Sequence, residues 1–140
     1  MIRLSILALA IAALVAPGPA RADDLAGVDR FLCSIGTLMA CFEDGECERL
    51  VPTDLNVPQF VEVDLKQKRM STTKASGENR STPIVNVVRG EGRIVLQGYE
   101  NRRAFSFVIE EATGFLSAAV ATDGLGVAVF GACTPVSSSN

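Results

Sequence analysis

The stretch RIVLQGYENRRAFSFVIE, residues 93–110, reads as two strands joined by a turn. In its second half Phe105, Phe107 and Ile109 fall on one face, with Ser106, Val108 and Glu110 on the other. A period of two belongs to a half-buried strand, because a helix would bring every third or fourth side chain together. Arg93 to Gly98 is the partner strand, and Tyr99 to Arg102 is the turn between them.

The same rhythm runs outward in both directions. Downstream, Glu111 to Gly114 is a loop closing on a glycine, Phe115 to Ala121 a strand, Thr122-Asp123-Gly124 a turn, and Gly126 to Cys133 a last strand. Upstream, Pro83 to Arg89 is a strand that turns at Gly90-Glu91-Gly92. Before it lie the polar loop Lys74 to Ser81, a strand Lys68 to Thr73, the turn Lys66-Gln67, and Gln59 to Leu65, where Val61, Val63 and Leu65 alternate with Glu62 and Asp64. Pro52 and Pro58 bound an aperiodic loop, and Phe31 to Phe42 is a first strand with a break expected at Gly36. Asp23 to Arg30 is a loose arm or a short helical turn. Short, evenly spaced strands with tight turns predict an all-β fold, a single small antiparallel meander barrel or sandwich of about eight strands. The alternation assigns Val63, Ile94, Leu96, Phe105, Phe107 and Ile109 to the core. In Gly126 to Ala132, apolar on both faces, Val127, Val129 and Phe130 are assigned there too. A crowded central strand is the expected setting for that run, its small residues admitting close neighbours.

The fold is expected to be disulfide-stapled. The four cysteines are Cys33, Cys41, Cys47 and Cys133, an even number in a short chain with an export leader. Three pairings exist, and local geometry selects one. A three-residue loop from Glu43 to Gly45 puts Gly45 where a positive φ is needed and sets Cys41 directly opposite Cys47. Opposed residues of an antiparallel pair are within disulfide reach. Cys33 and Cys133 are left to join the first strand to the last.

The leader is read from residues 1–22. Arg3 supplies positive charge, Ile6 to Val15 an apolar run, Pro17-Gly18-Pro19 a break, and Ala20-Arg21-Ala22 a cleavage site. The run is shorter than the ~20 residues a spanning helix needs, so no transmembrane segment is expected after cleavage. Residues 23–134 are then a single β domain, 135–140 a flexible tail, and the compartment periplasmic or otherwise secreted.

Composition narrows the chemistry. The chain has no histidine, which removes histidine-based triads and the usual zinc, copper and haem ligands. Paired cysteines provide no thiolate nucleophile. Acidic residues number 16 against 13 basic ones, with no basic stripe, which argues against nucleic acid as a partner. The absence of tryptophan and a single tyrosine, Tyr99, leave few stacking platforms for sugars or bases. Glycine pairs around Glu91 and Leu125 sit in hairpin turns and make no phosphate cradle. No catalytic residue, metal or cofactor is implied.

The expected role is a non-enzymatic binding or interaction protein whose partner is another protein or a small apolar ligand in the barrel mouth. The irregular loops supply the contact residues: Thr53, Asp54 and Asn56 in one, Ser76, Glu78, Asn79 and Arg80 in the other. Two alternatives stand beside it. The segment Ala75-Ser76-Gly77-Glu78-Asn79-Arg80 is similar to the Ser-Gly segment of periplasmic inhibitors of c-type lysozyme, which are small exported β-barrels with a disulfide. Those inhibitors carry a tyrosine after the glycine and then a tryptophan, where this chain has Asn79-Arg80 and no tryptophan. The other alternative is a hydrolase using carboxylates, drawn from Glu43, Asp44, Glu46 and Glu48 or from Glu110 and Glu111.

Overall fold

Period-two alternation becomes ten antiparallel strands in the computed structural model, which describes residues 24–136. They are β1 Arg30–Phe42, β2 Cys47–Leu50, β3 Phe60–Asp64, β4 Arg69–Thr72 and β5 Ser81–Pro83, then β6 Asn86–Gly90, β7 Arg93–Glu100, β8 Arg103–Glu110, β9 Phe115–Thr122 and β10 Leu125–Pro135. Two 3-10 turns, Pro52–Leu55 and Lys74–Ser76, interrupt the loops. The leader read from residues 1–22 and residues 137–140 lie outside the described residues. No helix among the described residues is long and apolar enough to cross a membrane.

The strands form one sheet in the order β5-β4-β3-β1-β10-β9-β8-β7-β6, with β2 also on β1. β3 pairs with Arg30–Ser34 and β2 with Leu38–Cys41, so both lie along the edge of β1 that β10 does not take. They act as one stave interrupted by residues 51–59. At the ends of the path, β5 and β6 are separated only by Ile84 and Val85. Ile84 N–H donates to Lys68 O at 2.8 Å, toward β4, and Val85 N–H donates to Gln97 O at 2.9 Å, on β7. One piece of chain therefore terminates the sheet at both ends, and the sheet curls on itself as a barrel-like wall. Merging β2 with β3 and β5 with β6 turns the ten segments into eight staves in meander order.

The expected strand from Pro83 to Arg89 is thus two segments, because its halves bond to different neighbours. Tyr99 lies within β7 opposite Ala104, and the turn tightens to Asn101 and Arg102, both left-handed with φ 48° and 64°. β10 extends to Pro135, which pairs with Phe31.

Curvature needs close approach. β1 carries a bulge between Ile35 and Thr37, at the glycine where a break was expected. A Cβ built on Gly131 would stand 2.1 Å from Ser34 O, and one on Gly98 would stand 2.3 Å from the Phe105 ring and 2.9 Å from Pro83 O. These glycines sit where strands meet too tightly for any side chain.

The inner face carries Phe31, Leu38, Val63, Ile94, Leu96 and Ile109, all essentially inaccessible. Phe105 and Phe107 are half-buried against this core. Val127 and Val129 point inward, but Phe130, assigned to the core from sequence, points outward and is 48% exposed. Strict alternation forces that outcome once Val127 and Val129 are inside. β10 is the central strand expected, flanked by β1 and β9.

Leu25, in the stretch read as a loose arm or a short helical turn, is completely buried and donates its N–H to Glu111 O at 2.8 Å. Arg89 secures this arm from inside the barrel. Its guanidinium donates to Leu25 O, Val28 O and the Glu111 carboxylate, and lies 3.4 Å from Asp29. The arm packs at the end where β8 finishes.

Both expected disulfides are present. Cys41 pairs with Cys47, Cα atoms 4.1 Å apart, across a hairpin in which Phe42 N–H donates to Glu46 O and Gly45 has φ 90°. Cys33 pairs with Cys133, Cα atoms 4.0 Å apart and directly opposed on β1 and β10. The first bridge is on the outer face; the second is buried.

Candidate functional site

The barrel interior is not filled to both ends. Where β8 begins and β10 begins, the inward side chains leave a half-open cavity of about 170 Å³. Phe105 and Val127 stand near its mouth and Phe107 and Val129 one inward position deeper, with Leu38 and Val120 beside them. Phe105 and Phe107 meet edge to face, ring centroids 5.5 Å apart. The hydrocarbon wall follows from β8 and β10 presenting alternate apolar residues at the same height.

The rim is polar and comes from four connections: Asn56 in the loop 51–59, Arg80 before β5, Glu100 and Arg103 at the β7–β8 hairpin, and Thr122 at the β9–β10 hairpin. Arg80 ties the two irregular loops together. Its Nη1 donates to Asn56 O at 2.9 Å and lies 3.8 Å from Glu78 Oε2. Its backbone N–H donates to Thr72 Oγ1, and Thr72 N–H donates back to Arg80 O, pinning the loop to β4. Asn56 holds a left-handed conformation, φ 52°, which ends the turn Pro52–Leu55.

The contact residues expected from sequence divide accordingly. Asn56 and Arg80 come together at the rim. Asp54 accepts from Val51 N–H, and Ser76 donates to Thr73 O and accepts from Glu78 N–H, so both shape their own turns. Thr53, Glu78 and Asn79 are exposed and do not line the cavity.

Glu100, Arg103, Phe105 and Phe107 were not assigned to a site from sequence. The signal for Arg103 was parity: it shares a face with Phe105, Phe107 and Ile109, so it points into the barrel. Glu100 shares a face with Ile94 and Leu96 in the same way.

The acidic groups stand elsewhere. Glu43, Asp44, Glu46 and Glu48 are exposed around the β1–β2 hairpin, Glu110 is exposed, and Glu111 is held by Arg89 at the other end of the barrel. No cluster of metal-ligating side chains occurs among the described residues. On the outer wall Phe115, Phe130 and Val108 are exposed by 66%, 48% and 39% across β8, β9 and β10.

No protein-family model, curated protein or solved structure matches the chain.

Proposed function

We propose that this protein binds one small apolar ligand in its barrel mouth and performs no covalent chemistry on it, in an oxidising compartment outside the cytoplasm. The observation that carries the reading is the half-open, apolar cavity, to whose rim the two irregular loops contribute Asn56 and Arg80. An apolar cavity of ~150 Å³ accepts benzene. The cavity here, about 170 Å³, therefore suits a single ring or a short alkyl chain. Burying about six methylenes contributes ~5 kcal/mol, so dissociation constants near ~0.1–1 mM are expected for a bare hydrocarbon tail. The two disulfides support the compartment, since such bridges persist where thiols are oxidised.

The test is isothermal titration with straight-chain alcohols from butan-1-ol to dodecan-1-ol. Saturable one-to-one binding with an optimum at intermediate length and a negative heat-capacity change is expected. Val120→Trp, which places an indole at the mouth, should abolish it without loss of the folded circular dichroism spectrum. Absence of saturable binding across the whole series overturns the reading.

A further inference from the structure

The charges on the rim define the head of the ligand as the cavity defines its tail. Resting on the ligand-binding reading above, we infer that the bound molecule is a short-tailed monoanionic amphiphile whose single carboxylate is received by Arg103.

Three charged side chains line the cavity: Arg80, Glu100 and Arg103. Arg80 is engaged with Asn56 O and, more loosely, with Glu78. Arg103 and Glu100 are directly opposed in the β7–β8 register, yet no ion pair within 4.0 Å joins them to each other or to any other group among the described residues. Neither side chain makes a hydrogen bond to protein there. Arg103 is exposed and Glu100 half-exposed, so both stay hydrated while the cavity is empty, and neither carries the desolvation penalty of an unpaired buried charge.

A tail seated against Phe105 and Phe107 brings its head to this rim. A guanidinium offers a planar fork of donors matched to a carboxylate, and the two arginines outnumber the one carboxylate on the lining. Glu100 limits the accepted charge. It stands opposite the receiving guanidinium and repels a second negative charge, which favours a carboxylate over a phosphate monoester.

The experiment compares hexanoate, hexan-1-ol, hexyl phosphate and hexyltrimethylammonium by calorimetry at low salt on the full protein, Arg103→Gln and Glu100→Gln. The wild type should bind hexanoate roughly tenfold more tightly than hexan-1-ol, as a charge-assisted hydrogen bond at a partly desolvated rim allows. Added salt should narrow that gap. Arg103→Gln should erase it, and Glu100→Gln should widen it and admit hexyl phosphate. Equal binding of hexanoate and hexan-1-ol, a gap that survives Arg103→Gln, or tighter binding of the ammonium overturns the headgroup assignment while leaving the cavity reading intact. Silence from every probe, hexan-1-ol included, overturns both.

Discussion

At Gly131 a methyl group would have to displace backbone, since its carbon would stand 2.1 Å from Ser34 O on the neighbouring strand. Gly126, five residues earlier on β10, has nothing within 4 Å of the same position. Gly131→Ala should cost about 2–3 kcal/mol by forcing β1 and β10 apart. Gly126→Ala should fall within ~0.5 kcal/mol of the parent. Urea denaturation midpoints of the two variants check this, and equal midpoints would remove close approach as the reason for glycine at 131. The sequence shows this run to be crowded but not which way it faces. Gly126 to Ala132 is apolar at every position, so nothing in it distinguishes Phe130 outward from Phe130 inward. Where faces differ chemically, as at Phe105, Phe107 and Ile109, the inward set is legible residue by residue. The same parity marks Arg103 as inward, but a lone charge at the start of a strand reads more readily as its solvated end.

Elements are legible where turn chemistry is local and illegible where a partner is remote. The β1–β2 hairpin follows from Gly45 and the spacing of Cys41 and Cys47, and its register is the one those residues demand. The division of residues 81–90 into β5 and β6 depends on β5 bonding back across the loop to β4 while β6 turns forward into a hairpin with β7, and no local signal marks where one partner gives way to the other. The N-terminal arm is similar: Leu25 is isolated among small and polar residues, and its burial depends on Arg89 and Glu111 far along the chain. Arg89→Met keeps most of the apolar stem but removes the guanidinium donor from Val28 O, the Glu111 carboxylate and Leu25 O, the last keeping only the Val28 N–H. A loss of about 2–4 kcal/mol is expected, with faster hydrogen exchange at Leu25 and Val28 before the sheet opens. Uniform loss of protection across all strands would instead mean that the arm is an inseparable part of the core.

For the whole molecule, closure depends on the first strand meeting the last. The Cys33–Cys133 bridge spans a sequence separation of 100 residues and the Cys41–Cys47 bridge a separation of 6. In the chain-entropy model the long bridge contributes about 4–5 kcal/mol and the short one about 2 kcal/mol. Paired substitutions to alanine, compared by guanidinium midpoint, should rank in that order. A stoichiometric free thiol in the untreated protein would contradict the two-bridge arrangement. Alternation and turns predicted the fold class, about eight staves and both cysteine pairs. The cavity was only a general expectation, because a void arises from how eight inward faces meet. The nesting of one bridge inside the other also raises the question of which cysteines can meet first. Cys33 and Cys41 emerge first, and oxidation in order of appearance would join them wrongly. Once β1 is extended, their Cα atoms stand about 25 Å apart, far beyond bonding reach. An extended first strand thus keeps Cys33 out of reach of Cys41 and opposite the partner that the last strand supplies, Cys133.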